Sequence, residues 1–551
     1  MANKLLPTCI ALGLVSIAIN ASSKTIGYKI EVDSDIVEQA VNALDDDELY
    51  ERTNLVIKPQ MSLRYNSKRI SAFWRGTHNY IRRELDELSV ENNYTEYNYN
   101  VRLGIIDELL NLNASGGLQY QNRSSSSFLV DDFLLNAEQL AKSRSNRISL
   151  LWRAPEQKYL GTEASASYAK TESDGSAASS GLPSLNNDTI SLNGRMYSGD
   201  YFERVNLDIS GQYSETERQV RGNYATRQAR ASFTLNLIDR LGITLVGNHE
   251  ANQVQSPDNV FSNLQDFNTF GAGLVWQESS RQRIAITYNR GDNRSIEEDE
   301  DNDGFVGLDL DWQFTPRTAL SANYSRRFYG ESGDFSFSHQ LKKLRTQVRY
   351  SESVTSYSRL ISSPENLGVF VCSNGVRELG SCFQPSSLNY QLGIDQEFVQ
   401  FSDVNSEIDD NLILRKSFSW QLGTELSRIK VSLNGRYALN DYLEQDRTSR
   451  TYSVGNAFSY DTGPKSKIKL NLDYAVTDDR LLTEKGNATV ATASVSFERK
   501  IGRHFSLDIG FRYVERELEG RVLGNIGSAG IGGNVRDRRI NAGIKYSFDG
   551  N

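Results

Sequence analysis

Three groups of residues in this chain have side chains of the types that do chemistry. The run "DEDNDG" places Asp299, Asp301, Asp303 and Gly304 at the spacing of the first half of a calcium-binding loop. The position where such a loop carries its bidentate glutamate is Leu310, so the run reads first as a solvated outer loop and only second as a weak calcium site. Cys372 and Cys382, in "VCSNGVRELGSC", are a close pair that would close a loop as one disulfide in an exported protein, with free thiols the alternative. The four histidines, His78, His249, His339 and His504, are scattered, and none stands in a nucleophile or metal motif. No catalytic residue, no cofactor and no enzyme activity is therefore expected.

The ends and the bulk composition narrow the class. Lys4 and the apolar stretch Leu5 to Ile19, followed by a small residue at Ala21, have the form of a secretory signal over residues 1–21. Cys9 lies inside its apolar run. The remaining chain, 22–551, carries most of the 61 Lys+Arg and 70 Asp+Glu behind a formal charge of −9. Nothing in it resembles a basic stripe, which argues against a nucleic-acid partner. Beyond the signal, no apolar run approaches the roughly 18 residues of a spanning helix. A membrane location would have to be reached with strands.

The elements that must position any site announce themselves by period. "YNYNVRLGI" puts Tyr97, Tyr99, Val101, Leu103 and Ile105 on one face and Asn98, Asn100, Arg102 and Gly104 on the other. "VNLDISGQY", "IKVSLNGRY", "IKLNLDY" and "FSLDIGFRY" repeat the pattern, and "TIGYKIEV" is its first instance. Strict alternation is the mark of a strand with one apolar face. Short turns such as "TPRT", "LSRI", "TGPKS" and "KIGR" follow every second strand, and longer polar connections join the others. This predicts an all-β chain, a single transmembrane up-and-down antiparallel β-barrel of about 24 strands (about 22–26), with short periplasmic turns and long extracellular loops. Residues 33–53 break the alternation, with Ile36, Val37, Ala40, Val41 and Leu44 at helical spacing, and are expected to form a loop helix or a small plug. Residues 358–411 are expected to be a long extracellular loop carrying the disulfide, with an extra hairpin there left open.

A soluble sandwich also alternates, but one of this length would need several domains, and only 9 prolines are scattered through the chain with no Pro-rich joint. Tyrosines near strand ends, including Tyr65, Tyr120, Tyr213, Tyr437, Tyr474 and Tyr513, suit interfacial girdles. The polar faces then line a lumen, with Arg102, Asp208, Lys430, Arg436, Lys469, Asp473, Asp508 and Arg512 among the residues expected there. Such charges must pair across the wall or sit in water. That favours a conduit, and a fully paired lumen without transport is the alternative. The C-terminal stretch Asn541-x-Gly543-x-x-Tyr546-x-Phe548 resembles the signal read by the outer-membrane barrel-assembly machinery, except that three residues follow the terminal aromatic. The expected location is the bacterial outer membrane, and the expected partners are its lipid and lipopolysaccharide together with that machinery.

"RISLLWR" (Arg147 to Arg153), "WQFTPRTALSANYSRRFYG" (Trp312 to Gly330) and "FSFSHQLKKLRTQVRYSES" (Phe335 to Ser353), leading into a cysteine-bearing loop, together give a wider likeness. In this combination the chain resembles the outer-membrane barrel proteins associated with PEP-CTERM/exosortase systems, encoded among exopolysaccharide biosynthesis genes. The resemblance covers nearly the whole of 22–551, in diffuse strand patterns rather than a signature. It implies a channel or secretion component for exopolysaccharide export or surface assembly, with exopolysaccharide or its export proteins as partners. The competing class is a structural or adhesive barrel whose outer loops bind partners and which transports nothing. A plug-bearing receptor or an usher would need a large extra domain, which the short segment before the strands does not supply. On this reading, intact-mass measurement of the exported protein should find Ser22 at its N-terminus and a mass that rises on reduction of a Cys372–Cys382 bond. An unprocessed N-terminus, or a mass unchanged by reductant, would contradict it.

Overall fold

The computed structural model describes residues 25–550 apart from 44–48, 86–87, 107–108, 123–132, 136–139, 155–158, 175–184, 200, 220–221, 239, 256–261, 280, 295–303, 342, 363–368, 374–381, 384–395, 401–410, 483 and 521–533. The expected signal, and Asp299, Asp301 and Asp303 of the calcium-like run, lie outside the described residues.

Strands dominate. The first nine are β1 (Thr25–Ala43), β2 (Leu49–Asn66), β3 (Ile70–Leu85), β4 (Leu88–Ile106), β5 (Leu110–Asn122), β6 (Leu140–Ala154), β7 (Leu160–Ser173), β8 (Leu185–Ser198) and β9 (Val205–Arg218). Next come β10 (Tyr224–Ile238), β11 (Leu241–Gln255), β12 (Ser262–Ser279), β13 (Gln282–Arg294), β14 (Gly304–Thr315), β15 (Thr318–Arg327), β16 (Gly330–Gln340) and β17 (Leu344–Thr355). A short helix, α1 (Tyr357–Ser362), precedes β18 (Val369–Ser373), β19 (Cys382–Phe383) and β20 (Gln396–Gln400). The last seven are β21 (Ile413–Glu425), β22 (Ile429–Tyr442), β23 (Arg447–Gly463), β24 (Ser466–Leu481), β25 (Glu484–Lys500), β26 (Phe505–Gly520) and β27 (Val535–Gly550).

β1–β17 and β21–β27 form one 24-stranded antiparallel sheet in which each strand pairs with its neighbours in sequence. The sheet closes because β27 pairs with β1, from Tyr28↔Gly550 to Ala43↔Val535. Every ring strand thus has two partners and no edge is left open. The connections sort by end. At the end holding Thr25 and Gly550 none is longer than 199–204, whereas the other end carries 123–139, 174–184, 521–534 and 356–412. The even count brings both termini to the short-turn end, which is the periplasmic end of an outer-membrane barrel.

The outer surface sets the membrane level. On β26, Phe505, Leu507, Ile509, Phe511 and Tyr513 face out, and on β27 Ile540, Ala542, Ile544, Tyr546 and Phe548 do; Ile540 and Ile544 are more than half exposed. Phe270, Leu274, Tyr288 and Ile286 form the same kind of bare apolar surface further round. A closed ring with such an exterior is a lipid-facing barrel, and the protein is an outer-membrane barrel. Aromatics rim the band at both levels. Below, Phe505 packs on Tyr546 at 5.2 Å and Trp276 on Trp312 at 5.5 Å. Above, tyrosine hydroxyls donate to acids just beyond them: Tyr513 to Glu515 at 3.0 Å, Tyr213 to Glu215 at 2.5 Å and Tyr168 to Asp188 at 2.7 Å. Past these tyrosines the outward row turns charged, as at Arg536 and Arg538 on β27.

Two expectations need correcting. The segment 33–53 is not helical where it is described. β1 runs on to Ala43 and β2 begins at Leu49, paired from Asp33↔Lys58 to Asn42↔Leu49. The helical spacing of Ile36, Val37, Ala40 and Val41 also contains a period-two row, and the ladder uses it: Val37, Gln39 and Val41 are buried inside while Ile36 is exposed outside. The strands are also longer than the nine or ten alternating residues suggested. The 19 residues of β1 extend roughly 60 Å at about 3.3 Å per residue, well over the roughly 25 Å apolar band of such barrels. The ring therefore stands clear of the lipid on its outer side, and the upper tyrosines sit in mid-strand. The described residues of 358–411 form no extra ring hairpin. They contribute part of α1 and a separate three-stranded sheet, β19-β18-β20, in which Cys372 and Cys382 are register partners.

At the seam, Gly543 lies in register between Asp35 on β1 and Asp508 on β26. A Cβ there would overlap Asp35 Oδ1 and stand 3.0 Å from the Ser34 carbonyl. Gly543→Ala should destabilise closure by about 1–3 kcal/mol, seen as a lower temperature for loss of the compact band on unboiled gels. Asp35→Ala in the same chain should restore most of that loss, and no recovery would show that this crowding is not the cause.

Candidate functional site

Alternation delivers one face of every ring strand to the lumen, and its contents change along the axis. Near the periplasmic end the inward side chains are open to water: Asn98, Asn100, Asn193, Arg195, Asn206, Gln212 and Arg230 are all exposed. Further out on the same walls the inward side chains are buried, including Asn187, Thr189, Ser214, Thr216 and Arg218. The lumen is open below and shut above.

Two inward-folded segments and one salt bridge account for the closure among the described residues. Phe133, Leu134 and Leu135 belong to the connection between β5 and β6. Leu134 packs with the inward Val37, Ile81 and Tyr94, and Leu135 packs with the inward Val41, Val490, Val514 and Val535. Arg83 Nη2 donates to the Phe133 carbonyl at 2.5 Å, and Phe133 stacks on Tyr94 at 4.6 Å. Tyr120, expected in a girdle, also joins this cluster, its ring 5.1 Å from Tyr94.

The second segment is α1. Tyr357 packs with Ala141 and Leu185, and its hydroxyl is 3.3 Å from Ser143 Oγ. Ser358 Oγ accepts from Asn187 Nδ2 at 2.6 Å. Arg359 is the peg. It donates to Thr216 Oγ1 at 3.0 Å, Thr226 Oγ1 at 2.9 Å and the carbonyls of Ser214 and Tyr224 at 3.1 and 3.2 Å. Its guanidinium carbon lies 4.2 Å above the Tyr224 ring. Burial pulls the Arg359 pKa below its ordinary value, and the neighbouring Tyr224 opposes that shift.

These contacts mean that the outer end is flattened. β17 ends at Thr355, and Tyr357, two residues on, touches β6. β17 and β6 are eleven steps apart round the ring. In a round ring of this many strands, such walls would be on the order of 45 Å apart, while two residues reach about 7 Å. Arg218 and Glu444 report the same pinch. Arg218 closes β9, Glu444 sits in the turn after β22, and the two side chains form a two-point salt bridge at 2.9 and 3.0 Å. The Arg218 side chain is fully buried, and Glu444 also accepts from the Leu412 amide at 3.2 Å.

All eight residues expected in the lumen lie on the inward face, opposite lipid-facing neighbours, but they are spread round the ring. Arg102 donates to Asn111 Oδ1 at 3.3 and 3.4 Å. Asp208 is gripped by Arg195 on the next strand, with Nε contacts of 3.1 and 3.2 Å. Lys469 meets Glu498 at 3.4 Å, and Asp508 accepts from Asn541 Nδ2 at 3.3 Å. Asp473 stands opposite Gly455, Arg436 opposite Ser419 and Ser453, Lys430 opposite Ser459, and Arg512 opposite Ser494 and Arg539. Of the expected assembly signal, Tyr546 and Phe548 face out beside His504, and Asn541 and Gly543 face in at the seam. The histidines are single hydrogen-bonded residues, as with His78 to Thr95 and His339 to Thr318, both at 2.8 Å. No group of three or more metal-ligating side chains occurs among the described residues.

The closing residues were missed in the sequence. Phe133-Leu134-Leu135 was readable in principle, as an apolar triplet inside a connection that cannot face lipid. Arg218, Arg359 and Glu444 carry no local sign, because their partners lie far away in the chain.

No family model matches the chain, and neither does any curated protein. Among solved structures it is similar to the siderophore receptor PirA from Acinetobacter baumannii, at 10% identity over 96% of this chain and 81% of that one, with a TM-score of 0.41. The FrpB iron transporter from Neisseria meningitidis (F5-1 variant) aligns at 9% identity over 95% and 82%, with a TM-score of 0.42. A ferric enterobactin receptor (PfeA) mutant from Pseudomonas aeruginosa aligns at 10% identity over 96% and 81%, with a TM-score of 0.38.

Glu444→Ala leaves the buried Arg218 guanidinium without its carboxylate and should weaken the closed outer end by about 3 kcal/mol. Amide exchange at the ends of β9 and β10 should speed up accordingly. The double change Arg218→Met with Glu444→Leu should be milder than Glu444→Ala alone, and the reverse order would rule out a desolvated ion pair as the clasp.

Proposed function

We propose that the chain is a channel or secretion component of the outer membrane, shut at its outer mouth in the form described, that passes a hydrated, hydroxyl-rich polymer. In the setting that the sequence resemblance implies, the polymer is an exopolysaccharide, exported or assembled at the surface in a PEP-CTERM-type system. The observation that carries this reading is the inward face itself. Its open periplasmic half is lined by hydroxyl and amide side chains such as Asn98, Asn100, Asn193, Asn206, Gln212 and Ser321, interrupted by charge pairs such as Arg195–Asp208. Such a wall exchanges hydrogen bonds with water and with sugar hydroxyls at little net cost. It offers a cargo few apolar holds.

The pinched outer end favours the second reading, a structural or adhesive barrel with no transport. The two part on conductance. In planar bilayers the wild type should be mostly closed, and Arg218→Ala/Glu444→Ala/Arg359→Ala should give long-lived open steps. If the triple variant folds, by its heat-modifiable mobility, and stays electrically silent, the conduit reading falls and the structural barrel stands.

A further inference from the structure

The periplasmic rim holds a cleft that the conduit reading does not use. Three turns meet there: 426–428 after β21, 464–465 after β23 and 501–504 after β25. Backbone bonds tie them together, Asp461 N–H to the Arg428 carbonyl and Lys500 N–H to the Lys465 carbonyl, both at 2.8 Å. Between them is a cavity of about 410 Å³ whose lining includes Arg428, Lys465, Lys467 and Lys500 against Asp461 and Glu498. Glu498 is already engaged, 3.4 Å from Lys467 and 3.4 Å from Lys469. The side chains of Arg428, Lys465 and Lys500 have no partner among the described residues. The cleft is therefore a cationic pocket with spare charge, inside the size range of small-ligand sites.

Its place says what reaches it. Lys467, Glu498 and Lys500 stand on the lumen-facing side of β24 and β25, so an occupant lies at the entrance to the pore and not in the lipid. The inward residues just above are Lys430, Ser432, Ser459, Lys469, Asn471 and Ser494, with Asn471 Nδ2 donating to Ser494 Oγ at 3.2 Å. Positive charge at the mouth, continued inward by Lys430 and Lys469 among hydroxyl and amide side chains, matches a chain that carries both anions and hydroxyls. We propose that this cleft binds a carboxylate-bearing sugar residue of an acidic polysaccharide as the polymer enters the lumen. The proposal rests on the conduit reading and adds the charge class of its cargo.

The test uses the full barrel in detergent, titrated by calorimetry with a defined oligogalacturonate and with a neutral malto-oligosaccharide of equal length. Saturable binding of the acidic sugar, weakened by added salt and absent for the neutral one, is expected. Arg428→Ala/Lys465→Ala/Lys500→Ala removes side chains without described partners and should leave heat-modifiable mobility intact while weakening binding by roughly tenfold or more. Failure to bind, equal binding of the neutral sugar, or affinity unchanged in the triple variant would overturn the assignment. Equal binding of a poly-glutamate peptide would also overturn it, since the cleft would then read charge without sugar. Conductance is measured separately, so a barrel that conducts and does not bind loses this proposal and keeps the conduit.

Discussion

The structure depends on one constraint: in hydrocarbon, every backbone N–H and C=O must find its partner within the protein. Strands meet it only if the last one returns to the first. The β1–β27 ladder does this, and it lies at the point in the chain where the two termini come together. Its side chains are fitted to the task. Gly543 leaves room for the Asp35 carboxylate, Asn541 donates to Asp508, and Tyr28 and Phe548 pack their rings 6.0 Å apart on the lipid side. Lys545 reaches from β27 to Glu31 and Asp33 of β1, at 3.3 and 3.7 Å, joining the two ends of the sheet a second time on the lumen side.

Closing the ring fixes where charge goes. With the outside given to lipid, polar alternates have only the lumen, and there they pair with each other as well as with water. Arg230 on β10 reaches Asp309 on β14 at 2.6 Å, and Arg327 on β15 meets Glu250 on β11 at 2.9 Å through Nε. Both pairs skip three intervening strands, which requires a strongly curved wall. The outer rows obey a different rule. They are apolar only between the two aromatic rims, and beyond the upper tyrosines the wall is free to be polar on both faces. There, released from the bilayer, opposite walls come together.

What was legible in the sequence follows from this. Period two reports which face a residue takes, so the barrel, its even strand count, its short turns and the inward set from Arg102 to Arg512 could all be read locally. Period says nothing about what a face meets. Val37 and Val41 looked helical because apolar residues at positions three and four apart suggest a stripe, yet their burial comes from Leu134 and Leu135, nearly a hundred residues on. Strand length was underestimated for a related reason. Once the outward row turns charged at residues such as Arg536 and Glu515, alternation of hydrophobicity stops although the hydrogen-bonded ladder continues. The clasp of Arg218, Arg359 and Glu444 was beyond reach, because each partner is fixed by the flattening of the whole ring.

The two halves of the closure differ in physical kind, and that difference bears on how the mouth works. The segment around Leu134 is held by apolar contact with valines from both sides of the seam, so exposing it returns greasy surface to water and carries the full hydrophobic penalty. The segment around Arg359 is held mainly by hydroxyls, carbonyls and an aromatic face, with one small apolar contact of Tyr357 on Ala141 and Leu185, and the walls beside it meet through Thr, Ser, Asn and the Arg218–Glu444 ion pair. Water replaces hydrogen bonds of that sort at a net cost of about 1 kcal/mol each, provided that it reaches every partner at once. A mouth built this way has one fixed wall, near β25–β27 and β1–β5, and one separable wall, between β6–β10 and β17–β23. Since α1 is continuous with β17, any widening of the separable side must draw Arg359 out of its five-point seat together with the strand that carries it. On the conduit reading, opening is thereby tied to the rounding of the ring.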